Sequence, residues 1–178
     1  GFLGNPYPDW ISAIRNTFTF KGFSLTGLLD IRQGGDIWGG TIGRLNNIGR
    51  TAASADRTHT YVIPGVKADG TPNDIAISPN FYYARYLGDA GGATESFIFD
   101  GSWVRLREVT LSYSLPKFKK LIQNASVYVT GRNLWLKTKY PGVDPESSLT
   151  GAGSNIGGFD YFTMPGSKSI IVGLNIGF

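Results

Sequence analysis

The fold class this sequence predicts is all-β, an antiparallel sheet of the kind that walls a transmembrane β-barrel, and three observations predict it. Apolar residues alternate by two over segments of about 11 to 14 residues, and roughly 10 residues tilted by about 45° cross an outer membrane. The connections between these segments alternate between short turns and very long loops. No stretch approaches the ~18 uninterrupted apolar residues that a membrane-spanning helix requires.

The first strand runs from Trp10 to Phe20, with Trp10, Ile14, Phe18 and Phe20 at even positions and Arg15, Thr17 and Thr19 at odd ones. Lys21-Gly22 permits a tight reversal, because Gly tolerates the positive φ that two-residue hairpins need. Phe23, Leu25, Leu29 and Ile31 continue one face, with Ser24, Thr26, Asp30 and Arg32 on the other, so a hairpin is expected. The third strand covers Trp103 to Leu115. Its lower half alternates cleanly, Val109, Leu111, Tyr113 and Leu115 against Glu108, Thr110, Ser112 and Ser114, but Val104 and Leu106 are out of phase with that series. Either a β-bulge lies near Arg107-Glu108 or the upper half leaves the apolar environment. Pro116, which has no N–H to donate, ends the strand. A fourth strand spans Ala125 to Thr138; Val127 and Val129 share one face while Leu134 and Leu136 take the other, which leaves its facing open. The last strand sets Ile170, Val172, Leu174, Ile176 and Phe178 against Ser169, Gly173, Asn175 and Gly177.

About 70 residues, Gln33 to Ser102, join the second and third strands, and about 29, Lys139 to Ser167, join the fourth and fifth; compact soluble domains rarely hold such loops. Outer-membrane barrels have this plan, with short periplasmic turns and long loops outside. Five strands cannot close, since the smallest such barrels have ~8. Unpaired backbone in hydrocarbon costs several kcal/mol per group, so the remaining staves are expected N-terminal to Gly1, in a longer protein. With the last residue periplasmic, Lys21-Gly22 and Lys117 to Asn124 lie there too, and Phe20, Phe23, Tyr113 and Phe118 sit near that rim as an aromatic girdle.

Composition narrows the function. The 178 residues hold 17 basic and 13 acidic side chains and no Cys, so disulfide scaffolds, Cys-bearing zinc sites and thiol nucleophiles are excluded within the segment. The dense basic cluster Lys117, Lys119 and Lys120 is too small for a nucleic-acid groove. His59 is the only histidine; no second His or Cys exists to build a transition-metal site, and a Ser-His-Asp triad would rest on this one loop residue among many Ser and Asp. The run Gly151 to Gly158 has neither the spacing nor the βαβ context of a dinucleotide site and reads as a flexible loop. Asp69 to Asp74 lacks the twelve-residue calcium pattern and reads as a solvated turn. Asp144 and Glu146 read as loop structure, with Arg132 or Lys139 as pairing partners. No enzyme activity and no cofactor are expected. Arg105 and Arg107, near the outer end of the third strand, would line the barrel mouth if they point inward. Phe81, Tyr82, Tyr83, Arg85 and Tyr86 form an aromatic cluster suited to stacking on sugars or to a protein interface, with packing between loops as the alternative, and Trp38 in its Gly-rich setting is treated likewise.

Trp103 to Pro116, followed by Val127 to Glu146, resembles the C-terminal end of SusC/RagA-type TonB-dependent outer-membrane transporters. The resemblance continues through Asp160-Tyr161, Met164-Pro165 and Lys168-Ser169 to the Gly-Leu-Asn-Ile-Gly-Phe ending, and begins at Leu3 to Pro6 and Asp9-Trp10. It implies a 22-stranded barrel in the cell outer membrane, filled by an N-terminal plug and importing oligosaccharides or peptides with energy passed through TonB. A SusD-like surface lipoprotein would cap the outer mouth. The chain would then be the C-terminal part of a single barrel domain, the plug and TonB-contacting regions lying outside it. The resemblance also implies that Phe178, with Leu174 and Ile176, carries the signal read by the barrel-assembly machinery through pairing with the exposed strand edge; the alternative is an interfacial aromatic anchor. Two other architectures compete: a secreted carbohydrate-binding β-sandwich, which would show turns every 8–12 residues, and a small closed barrel, which needs further strands hidden between Asp36 and Phe99. Ile75 to Ile77 and Phe97 to Phe99 are too short to supply them.

Overall fold

The computed structural model describes residues 1–89, 92, 94–116, 124–150 and 156–177. Five long strands, β1 (Trp10–Phe20), β2 (Phe23–Gln33), β3 (Trp103–Ser114), β4 (Asn124–Thr138) and β5 (Ser169–Gly177), form one sheet in that order. Every neighbouring pair is antiparallel. The hairpin expected at Lys21-Gly22 is present: both residues have positive φ, 46° and 86°, the combination whose twist matches that of the flanking strands.

Register resolves both phase problems. Between β2 and β3 the pairing shifts between Leu28 and Leu29, and between β3 and β4 it shifts between Leu106 and Glu108. A bulge at Arg107 therefore exists, and it sets Val104 and Leu106 on the face of Val109 and Leu111. In β4, Asn133 adopts a left-handed φ of 51°, and Trp135 pairs with Leu106. This second irregularity brings Trp135 onto the face of Val127 and Val129, while Leu136 pairs with Arg105 on the other.

With the phases aligned, the sheet is two-sided from end to end. Phe18, Leu25, Leu111, Val129 and Val172 are successive cross-strand partners on one face, and Thr17, Thr26, Thr110, Thr130 and Ile171 on the other. Hydroxyl pairs Thr17–Thr26 (3.0 Å) and Thr110–Thr130 (2.8 Å) join the polar row. Ile170, Val172, Leu174 and Ile176 are 76, 74, 56 and 46% exposed, not packed against a second sheet as in a sandwich. Among the described residues, β1 and β5 each pair on one side only.

The buried hydrophobic residues lie elsewhere. Ile37, Tyr83, Phe97 and Tyr140 belong to the two long loops, and Trp103 to the outer tip of β3. The short strand Asp36–Gly39 pairs antiparallel with Ile98–Asp100 from its own loop and parallel with Phe159–Asp160 from the other, so the loops share one layer. Helix α1 (Gly40–Asn47) follows that strand. A two-residue ladder, Tyr61–Val62 with Ala76–Ile77, projects from the first loop. None of these short strands enters the main sheet, as their length foretold.

On the polar face, Tyr128 lies over Gly173, its cross-strand partner; a Cβ there would fall 2.2 Å from the ring's Cζ. Gly173→Val must displace the ring, and overpacking of this kind costs about 1–3 kcal/mol. The midpoint of urea unfolding of the full-length protein should fall accordingly, and an unchanged midpoint would show that the ring yields freely.

Candidate functional site

The bulge at Arg107 governs the outer end of the polar face. A bulge places two successive side chains on the same side of the sheet. Arg107 and Glu108 both lie on the polar face here, where an uninterrupted strand would have turned one charge to the apolar face. Arg107 clasps Asp30 through Nη2 (2.7 Å) and Nε (3.2 Å), and Glu146 through Nη1 (2.9 Å) and Nη2 (2.8 Å). Arg105, 3% exposed, donates from Nη2 to Oδ1 of Asp144 at 2.5 Å and lies 3.5 Å from Glu146. Both guanidinium groups sit 5.5 Å from the Trp103 ring centroid.

These contacts correct the expected pairing of Asp144 and Glu146. Arg132 instead holds Glu108 at 3.1 Å, and Lys139 approaches Asp100 at 3.8 Å. The reason is geometric: residues 144–146 fold back over the polar face, where Arg105 and Arg107 point. Asp144 completes its shell with the N–H groups of Glu146 (3.0 Å) and Gly166 (3.2 Å). Arg105 and Arg107 both lie on the polar face, and Arg105 is covered by the second loop and acts as its fastening.

A second buried carboxylate ties the loops together. Asp160 accepts from Tyr140 Oη (2.5 Å), Thr41 Oγ1 (3.0 Å) and Thr163 Oγ1 (2.7 Å), drawing α1, the end of β4 and the second loop to one point. Burial, with the bond to Asp160, pushes the Tyr140 phenol far above its ordinary value, so it remains a donor across the neutral range. Thr41 Oγ1 also accepts from the N–H of Phe162 at 2.7 Å.

The aromatic residues divide by exposure. Tyr83 is buried, donates to the Ala53 carbonyl (2.6 Å) and meets the Tyr61 hydroxyl (3.1 Å); that bond and burial push it up to about 12. Tyr82 stacks on Tyr61 with centroids 4.1 Å apart and 4° between planes, and Tyr86 leans on Tyr82 at 5.4 Å. His59 meets the edge of Tyr61 at 4.8 Å. Phe81, 51% exposed, and Arg85 point to solvent. Trp38 is half-buried between Phe159 and Tyr161 at 5.8 and 6.1 Å, and borders a largely apolar cavity of about 370 Å³ with Leu3, Pro6, Phe97 and Ile98. Trp38 and the 81–86 cluster thus lie in the layer built by the long loops without forming one site. Leu174 and Ile176 lie on the apolar face of the terminal strand; Phe178, and the Lys117, Phe118, Lys119 and Lys120 region, are outside the described residues.

The fastening role of Arg105, Asp144, Tyr140 and Asp160 was missed from sequence. Asp160 and Tyr140 fall within segments that carry the family resemblance, but no spacing links them. Asp69 accepts from the N–H (3.0 Å) and hydroxyl (2.7 Å) of Thr71, the turn expected there.

No family model matches the chain. Over 99% of its length it is 28% identical to TonB-dependent receptor P3 of Formosa agariphila and 29% identical to TonB-dependent receptor P26 of the same organism. The chain spans 17 and 18% of the length of these relatives. Its fold is similar to part of the RagAB peptide importer in the open-open state, with a TM-score of 0.61 and 19% identity over 97% of this chain and 17% of that one. The closed-closed state gives 0.59 and 22% over 91 and 17%. These homologues and this fold are consistent with a C-terminal segment of a SusC/RagA-type receptor.

Proposed function

We propose, from its homology to TonB-dependent receptors, that this chain is wall and outer-loop layer of a TonB-dependent outer-membrane transporter that imports nutrient oligomers, glycans or peptides. The observation that carries this reading is the continuous apolar face, one row of which runs Phe18, Leu25, Leu111, Val129, Val172. In water such a face would be a severe liability; against lipid chains it is the stable arrangement. The open edges of β1 and β5 then require further strands of the same longer polypeptide to close a barrel, 22 in the related family.

The threonine-lined face turns toward the lumen and a plug that couples to TonB. The fastened loop layer stands outside, where a SusD-like lipoprotein would cap it. Phe81, Tyr82, Arg85 and Tyr86 are its exposed or half-exposed aromatic and basic groups, suited to that partner or to the ligand, with Tyr83 as their buried support; Trp38 would act at the neighbouring apolar cavity. Leu174 and Ile176, with Phe178, serve as the assembly signal on the terminal strand.

The native full-length protein should migrate faster on a gel in cold detergent than after boiling, because a closed barrel resists unfolding until heated. Identical migration before and after boiling would rule the barrel out.

A further inference from the structure

Beyond Arg132, β4 loses one of its neighbours. β5 pairs with β4 only up to Ser169 opposite Arg132, whereas β3 continues beside β4 to Thr138. Among the described residues, the edge of residues 133–138 that faces away from β3 therefore has no strand beside it. A cavity of about 280 Å³ lies against this edge, with apolar walls from Leu134, Leu136 and Pro165 and polar groups from Arg105, Asn133 and Lys168.

Those polar groups are short of partners. Asn133 donates from Nδ2 to the Ser167 carbonyl (3.0 Å), which fixes the orientation of the amide and leaves Oδ1 buried with no donor. Arg105 commits Nη2 to Asp144, while its buried Nε has no acceptor. Buried polar groups are almost always paired, so these two mark places for an incoming acceptor and an incoming donor. Among the described residues, no carboxylate lies within ion-pair distance of Lys168. Asp144, the acidic group in the wall, already accepts from Arg105 and from the N–H groups of Glu146 and Gly166. Two cations against one engaged carboxylate leave the cavity positive. The groups also converge: a Cβ at Gly166 would lie 3.5 Å from Arg105 Nη1 and 4.0 Å from Asn133 Nδ2.

We propose that this cavity holds the carboxyl terminus of an extended peptide that adds itself to the bare edge of β4. A strand laid on such an edge gains main-chain hydrogen bonds, and a free carboxylate at its end is the acceptor that Arg105 Nε and Lys168 lack. The N–H groups of the same segment are donors for Asn133 Oδ1. An acidic sugar would bring the charge but no strand to pair and no apolar side chain for Leu134 and Leu136, so the cavity favours the peptide. The inference rests on the reading of the chain as a transporter wall, and it names the end of the ligand that this part of the wall takes.

The test titrates the full-length protein in detergent with N-acetyl-alanyl-valyl-leucine, its C-terminal amide, its backbone N-methylated form and galacturonate, read by ligand-observed NMR. The wild type should bind the free acid about tenfold more tightly than the amide, the size expected for a charge-assisted bond, and Lys168→Gln should remove most of that preference. The N-methylated peptide and galacturonate should both bind more weakly than the free acid. Equal affinity for acid and amide, a preference that survives Lys168→Gln intact, or methylated peptide or galacturonate binding as tightly as the free acid would each overturn the proposal. Gel migration of the same samples separates the two readings. A preserved heat shift with no preference for the acid removes only this subsite, and a wild type without any heat shift removes the barrel wall itself.

Discussion

Asp144→Ala should detach the second loop from the sheet. Asp144 and Arg105 are 5 and 3% exposed and 2.5 Å apart, so removing the carboxylate leaves a guanidinium buried without its counter-charge. Breaking one side of such a pair costs about 3–5 kcal/mol. Glu146 at 3.5 Å compensates only in part, because it is itself engaged by Arg107 and is half in solvent. The N–H groups of Glu146 and Gly166 lose their acceptor in the same step. The sheet does not depend on this contact, so the loss should be local. Hydrogen exchange of the full-length protein should show residues 139–149 and 156–167 losing protection while β1 and β2 keep theirs. Protection unchanged in that loop would mean the ion pair is incidental to its docking.

The second large effect is expected on the opposite face. Val172 lies midway along β5, opposite Val129, and is 74% exposed. If lipid covers it, Val172→Arg places a cation near the middle of the hydrocarbon layer at a cost of about 2–4 kcal/mol. Heat-shifting protein in the outer membrane should fall sharply. Asn175→Lys, three residues on and directed to the polar face, should leave the amount close to wild type. Equal tolerance of both substitutions would mean that the two faces meet the same medium.

How far these features were legible in the sequence depends on the length scale of each pattern. β5 and the β1–β2 hairpin were readable because alternation by two is local, and Lys21-Gly22 has the positive-φ chemistry its turn needs. The outer halves of β3 and β4 were not. An added residue shifts the phase of every side chain beyond it, and Val104 and Leu106 out of step look the same whether the strand bulges or leaves the apolar layer. Asn133 offered a hint, since Asn tolerates left-handed φ better than most residues. The fastening of Asp144 to Arg105 was illegible for another reason: the two lie 39 residues apart, and a single ion pair has no period to detect. Local chemistry favoured Arg132 and Lys139, which are nearer along the chain, but the fold sends them to Glu108 and Asp100.

The strand Asp36–Gly39, flanked by Ile98–Asp100 and Phe159–Asp160, has a consequence for how such proteins diversify. Its neighbours come from two insertions separated by β3 and β4, so neither insertion is an independent module. A chimaera that takes one of them from a relative would strip Trp38 of Phe159 or leave Asp160 without Thr41, and would need matching changes in the other insertion. Changes in this part of the molecule should therefore be inherited as a linked pair of segments, even though each alone looks like a freely variable surface excursion.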